Sequence, residues 1–308
     1  MHEQLVKDVD SITRFLDDLV KGNIIKPRTN EFEKDLRFVI ARKWNSWYPC
    51  YFDTQGGCYA IITRDKNNNI YDNSGIIIVD PGVKFSENLR ELYNIEPHDI
   101  KSVVVSHYHP DHTTGLHELF TITQESQYPC TYYLNKTSYE SFKVYQGKYI
   151  SIMELAKGQI IKLAEYKYKT DSGLKESIYL KSIKTFHQEI GNRHNTLGFI
   201  FNVITEIAGE RENENDYRER KLVLLGDTDG HENYLDTYLE YLKEADIAIL
   251  HLGSYSKKSY GKGNKHLYKD GLLNLLNCIN CSKGCPTEYE DGRIKKCRKD
   301  VDKFNGCV

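Results

Sequence analysis

Methionine and tryptophan are scarce in this chain, with two of each in 308 residues. No run of 18 or more apolar residues occurs, so the sequence contains no candidate for a helix that crosses a bilayer. Charge of one sign is lacking too. Lys and Arg number 42 against 44 Asp and Glu, for a net charge of -2. No global basic field therefore draws the chain onto nucleic acid, although one face can still carry a basic patch. The first residues, Met-His-Glu-Gln-Leu-Val-Lys-Asp-Val-Asp, have neither the basic start nor the apolar stretch of a secretion signal. A cytoplasmic protein with no membrane partner is the expectation.

Several motifs are missing as well. There is no Gly-x4-Gly-Lys-Ser/Thr phosphate loop and no Gly-x-Gly-x2-Gly after a strand, which removes the nucleotide-cradling classes. Gly253-Ser254-Tyr255 lacks the Gly-x-Ser-x-Gly frame of a nucleophile elbow. No repeat at solenoid periods is found. What is present reads as globular: 39% hydrophobic and 28% charged residues, over a length that allows one large two-layer domain or two modest ones.

Apolar spacing at Leu5, Val9, Ile12, Leu16 and Leu19 predicts an amphipathic helix over 4–20. Such a helix packs on its own domain or on a second copy, which leaves a homodimer open. Strand-like runs follow at 36–41, 58–63, 75–79, 101–106, 131–134, 160–163, 178–186, 196–203, 221–225 and 246–250, with helices at 86–93, 114–121 and 234–243. The charged stretch 205–220 reads as a hairpin tip or exposed loop. Three segments result: 1–30, an N-terminal helix and linker; 31–276, the main domain; and 277–308, a Cys-rich tail.

Four strand ends carry His or Asp where the chain turns into a loop: His107, His187, Asp227 and His251. Side chains at strand ends gather along one edge of a layered sheet, so these four are candidates for one site. The densest group is Ser106-His-Tyr-His-Pro-Asp-His112, which puts three imidazoles and a carboxylate within six residues. Neutral imidazole and carboxylate are good donors for zinc. Histidines two apart on an extended segment point the same way, so His107 and His109 can grip one ion. Asp111 and His112, beyond the turn at Pro110, can face another. The group has no thiolate, which argues against a closed structural site and for one with an open position.

His-x-His-x-Asp-His after an apolar strand resembles the signature of the metallo-β-lactamase superfamily. Gly75-Ile-Ile-Ile-Val-Asp-Pro-Gly82, Phe186-His187 ahead of Asn195-Thr-Leu-Gly-Phe199, and Gly226-Asp227-Thr228 resemble further elements of that family in the same order, over residues 36–276. The phrases around His187, Gly226 and His251-Leu-Gly-Ser, with His266-Leu, look most like bacterial hydrolases and the ribonuclease Z-like phosphodiesterase branch.

The resemblance implies an α/β fold, the four-layer αββα sandwich. Here it would carry an N-terminal amphipathic helix and a Cys-rich tail. It further implies one or two zinc ions, with manganese or iron as alternatives. His107, His109 and His187 would hold the first ion, Asp111 and His112 would belong to the second, and Asp227 would bridge the pair. The expected activity is hydrolysis by a metal-bound hydroxide of a phosphodiester in RNA, DNA or a nucleotide, so the substrate partner is a small molecule or a nucleic acid. A carboxylic ester, thioester or lactone is the alternative substrate, and an inactive binding domain is the non-enzymatic one. Asp111 and Asp227 are the candidate catalytic carboxylates and His266 the candidate proton donor.

Some assignments have rivals. His194 competes with His187 for the third-histidine position, and His187 is preferred because it directly ends a strand. The last ligand of the second ion is left to His251 or His266, either of which could instead donate a proton. Of eight cysteines, Cys50, Cys58 and Cys130 lie in the body, while Cys278, Cys281, Cys285, Cys297 and Cys307 crowd the end. The Cys278-x2-Cys281-x3-Cys285-x11-Cys297 pattern reads as a small zinc knuckle or as free thiols in a basic tail. Without a secretion signal, a disulfide framework is the weaker reading. Lys257, Lys258, Lys262 and Lys265 could meet substrate phosphates or form a solvated loop.

Overall fold

The computed structural model describes residues 36–42, 57–63, 75–93, 95–167, 175–191, 193–208, 215–229, 232–243, 245–254, 267–268, 271–272, 275, 289–290 and 293–294. The N-terminal helix, His266, the four lysines at 257–265 and the cysteines of the tail lie outside the described residues. The chain divides into two compact units. One comprises Asn30–Lys184 and Gln188–Arg220, and the other Met1–Thr29, Thr185–His187 and Lys221–Val308.

In the first unit, six strands form a mixed sheet in sequence order: β1 (Leu36–Arg42), β2 (Cys58–Thr63), β3 (Ile76–Val79), β4 (Ile100–Val105), β5 (Cys130–Asn135) and β6 (Ile150–Leu155). The first two pairings are antiparallel and the next three parallel. Parallel pairing needs crossovers, and helices supply them. They are α1 (Phe85–Tyr93), a short turn α2 (Pro110–Thr113), α3 (Gly115–Ser126) and α4 (Lys136–Phe142). Alternate residues of the sheet, Ala60, Ile62, Ile76, Ile78, Val103, Val105, Tyr132 and Leu134, form a core with Phe85 and Leu89 of α1, Leu116, Leu119 and Phe120 of α3, and Phe142 of α4. The residues between them, Tyr59, Ile61, Ile77, Val79 and Val104, are buried as well. The central strands β3 and β4 are therefore covered on both faces, and they read as nearly unbroken β-branched runs for that reason.

A second sheet begins in the same unit with the antiparallel strands β7 (Ile160–Lys167), β8 (Lys175–Lys184) and β9 (Leu197–Ala208). Strand β10 (Asn215–Gly226) starts in this unit and ends in the other, where it pairs in parallel with β11 (Ile247–Leu250) around α5 (Glu232–Leu242). The strand order is β11-β10-β9-β8-β7. Both sheets are thus mixed, and helices accompany them. Strands β9 and β10, neighbours in the sheet, run into the stretch 205–220 from either side, in keeping with its reading as a hairpin tip. β6 and α4 have no counterpart among the sequence expectations. β6 is an edge strand with Ser151, Met153 and Glu154 exposed, and such a half-polar strand gives a weaker signal than a buried run.

One glycine sets a close approach. A Cβ on Gly115 would lie 2.6 Å from the Phe85 ring and 2.8 Å from the Gly82 carbonyl oxygen. The Gly115 N–H also donates to the Pro81 carbonyl at 2.9 Å, so the start of α3 sits directly on the turn after β3.

Two body cysteines, Cys58 and Cys130, are buried. Burial pushes the Cys130 thiol up to about 12, against smaller opposing effects of Tyr132 and Lys101. Only the thiolate reacts appreciably with alkylating agents. Iodoacetamide at pH 8 is therefore expected to leave Cys130 unmodified in the native protein and to label it in urea. Peptide mass mapping checks this, and labelling of Cys130 in the native protein would contradict its placement in the core.

Candidate metal centre

The first unit carries the histidine motif. Strand β4 is buried along its length and delivers Ser106 and His107, both almost fully buried, to the end of the sheet. The backbone stays extended through His109 (φ −120°, ψ 150°), and Pro110 then opens the α2 turn. Proline suits this place because its fixed φ matches the first helical position and its missing N–H is not needed there.

His107 Nε2 lies 3.0 Å from His109 Nδ1. The His107 and His112 rings are 3.9 Å apart between centroids, and His112 Nε2 is 3.6 Å from Asp111 Oδ2. Asp80, at the end of β3, supports this group. Its carboxylate accepts the Ser106 N–H and the Ser106 hydroxyl, each at 2.6 Å, and lies 3.1 Å from His112 Nδ1. The Ser106 hydroxyl oxygen is also 2.9 Å from His107 Nδ1. Carboxylate contact on one imidazole nitrogen orients the other, as is usual around metal-binding histidines. Asp80 has φ 51°, a left-handed conformation that Asp and Asn tolerate better than most residues.

The second unit carries the other donors. His187 follows β8 by three residues, because that strand stops at Lys184 and not at Phe186 as the sequence suggested. Asp227 follows Gly226, whose φ of 62° makes the turn out of β10, and His251 follows β11. His187 Nε2 is 3.8 Å and His251 Nδ1 2.9 Å from opposite oxygens of the Asp227 carboxylate. His187 and Asp227 are buried.

The two turns here are bound to each other. The Phe186 N–H donates to Thr228 Oγ1 at 3.2 Å, the Asp229 N–H donates to the Phe186 carbonyl at 2.7 Å, and the Thr228 and Tyr238 hydroxyls share a hydrogen bond. The Phe186 ring stacks on Tyr234 at 3.7 Å. Burial raises the Tyr238 hydroxyl well above the ordinary phenol range. His194, the rival to His187, is exposed.

One unit thus brings three imidazoles and two carboxylates together, and the other two imidazoles and one carboxylate. Nitrogen and carboxylate oxygen donors, buried and braced by further hydrogen bonds, suit a divalent transition ion. Sequence reasoning missed the supports: Asp80, Ser106, Thr228 and, described below, Glu189. Asp80 was legible only as part of the element over 75–82, because its partners lie far along the chain.

The family model described as "Beta-lactamase superfamily domain" matches residues 76–287. The chain belongs to this family. Its two mixed sheets with helices are the α/β arrangement of the metallo-β-lactamase sandwich, and membership supports a hydrolase.

Among solved structures, the metallo-β-lactamase fold protein YhfI from Bacillus subtilis is similar at 14% identity, over 77% of this chain and 78% of that one, with a TM-score of 0.50. The short form of human tRNase Z is similar at 16% identity, over 79% and 88%, with a TM-score of 0.47. Yeast PDE1 is similar at 11% identity, over 82% and 85%, with a TM-score of 0.44. No curated protein matches the sequence. At these identities the likeness concerns the fold, and residue roles in this superfamily member rest on its own side chains.

Proposed function

We propose that this superfamily member is a metal-dependent hydrolase whose substrate is a phosphodiester. The observation that carries the reading is the donor chemistry. One unit offers His107, His109, Asp111 and His112 and the other His187, Asp227 and His251, imidazole and carboxylate donors that are buried or half-buried. As the family resemblance implies, His107, His109, His187 and Asp227 would hold one ion and Asp111, His112 and Asp227 a second. Zinc is the first choice for such a set, with manganese and iron as alternatives. An ion held there polarises the scissile group and lowers the pKa of water.

The chain's own residues would do the rest. Asp227 would be a ligand of the metal centre, and His251, already 2.9 Å from it, would hold that carboxylate in place. Asp80 and Ser106 would orient His112 and His107. His266 is the proposed proton donor to the leaving group. The phosphodiester preference draws on the resemblance of the segments around His187, Gly226 and His251 to the phosphodiesterase branch, and Lys257, Lys258, Lys262 and Lys265 would meet the phosphates.

Elemental analysis of protein purified without chelator is expected to find one or two zinc, manganese or iron ions per chain, and one more if the tail cysteines form a knuckle. The metal-loaded protein is expected to turn over bis(p-nitrophenyl) phosphate or a dinucleotide faster than a carboxylic ester, a thioester or a lactone. Protein that carries no metal and gains none on reconstitution would sink the proposal. Rapid opening of the lactone with every phosphodiester ignored would replace the substrate class.

A further inference from the structure

We infer that Glu189 is a positioning residue that fixes the aim of His107 and His109, an inference that rests on the metal-centre reading above. Glu189 is 3% exposed, yet its carboxylate takes four hydrogen bonds. Oε1 accepts the Tyr108 N–H at 2.8 Å and the Asn135 side-chain amide at 2.7 Å. Oε2 accepts the Thr137 hydroxyl at 2.8 Å and the Asn195 N–H at 3.0 Å. Four donors fill about the whole acceptor capacity of a carboxylate.

These partners come from three places: the histidine motif, the end of β5 with the start of α4, and the loop that carries Glu189 itself. The partners are tied to one another as well. Asn135 donates to the Asn195 carbonyl at 3.1 Å, Asn195 donates through its side chain to Thr137 Oγ1 at 3.0 Å, and Asn135 Oδ1 caps α4 by accepting the Ser138 N–H at 3.2 Å. Closing its own loop would need only the bonds to Asn195 and from the Glu189 N–H to the Arg193 carbonyl, at 2.9 Å. The bond to Tyr108 reaches further.

Tyr108 is the residue between His107 and His109. On the other side of His107, the Ser106 carbonyl accepts the Leu197 N–H at 3.0 Å. The segment 189–197 therefore grips the backbone on both flanks of His107. Rotation of the peptide at Tyr108 would swing the two imidazoles, whose facing nitrogens now lie 3.0 Å apart, away from a common point. A hydrogen bond donated to a buried carboxylate is a strong way to prevent that rotation. Loss of such outer supports typically weakens metal binding 10- to 100-fold.

Cobalt titration of the metal-free full-length chain, followed by the visible cobalt bands, tests this. Glu189→Gln preserves shape but turns an acceptor into a donor that faces donors. It is expected to bind cobalt about 10- to 100-fold more weakly than wild type, with altered bands at saturation and an unchanged far-ultraviolet dichroism spectrum. A merely structural role would lower Tm and leave both cobalt affinity and bands at wild type, and that outcome overturns the inference.

If Glu189→Gln does not fold, Thr137→Val carries the test, because it removes one donor from Oε2 and leaves every proposed ligand in place. Its cobalt affinity is expected to fall about threefold, part of the worth of one hydrogen bond because three donors still hold the carboxylate, and wild-type affinity would again overturn the inference. A wild-type chain that takes up no cobalt would remove the metal reading and this role together. Normal uptake by both wild type and Glu189→Gln would remove this role alone.

Discussion

Replacing Asp227 with Asn is expected to abolish hydrolysis, with turnover at least about 100-fold below wild type, or about 2.7 kcal/mol of barrier. The carboxylate lies between two imidazoles, with His187 Nε2 3.8 Å from one oxygen and His251 Nδ1 2.9 Å from the other. Asn keeps the size but removes the negative charge and turns one acceptor into a donor. Any cation bound beside Asp227 would lose both a ligand and the charge that neutralises it. The fold should survive, because Gly226 and Thr228 hold the turn through the backbone and the hydroxyl and not through the carboxylate. Steady-state kinetics with metal in excess, alongside thermal melting, separates the two effects. Activity above about a tenth of wild type would mean that Asp227 is not a bridging ligand.

Asp80→Ala is expected to act on stability first. It strands the Ser106 N–H and takes a carboxylate away from the Ser106 hydroxyl and the His112 ring nitrogen, in a site with almost no exposure. A buried polar group left without its partner costs about 1–3 kcal/mol. The combined loss should reach at least about 3 kcal/mol, and alanine at φ 51° adds strain. Urea denaturation should show a lower midpoint at an unchanged slope. Asp80→Asn tolerates the backbone and keeps one acceptor, so it should fall between alanine and wild type. A loss under about 1 kcal/mol for the alanine variant would mean that the carboxylate is not the anchor of this corner.

Much of the fold is legible in the sequence because burial on both faces leaves an unbroken signal. The β-branched run before His107 and the run before Asp227 are both strands that end where the pattern stops. Edges and supports are harder to read. β6 hides because its exposed face interrupts the apolar pattern. The α2 turn hides because four residues carry no helical periodicity. Candidate donors announce themselves by chemistry, since three histidines and an aspartate within six residues have few other uses. Their braces do not, because Asp80 and Glu189 act through partners distant in sequence. Each looks locally like one more acidic residue near a turn. The sequence ranked His187 above His194 from its place at a strand end. The structure adds that the first is buried and the second exposed.

The contact at Gly115 has a consequence for how this chain can vary. The start of α3 rests on the turn after β3 with no room for a methyl group. That turn carries Asp80, and the helix begins three residues after His112. The distance between anchor and ligand is therefore gauged by a hydrogen atom where every other residue would place a carbon. A lineage could exchange core residues beneath this corner by repacking. At Gly115 it has no neutral step, because widening the gap by one carbon would move Asp80 and His112 apart before any ligand had changed.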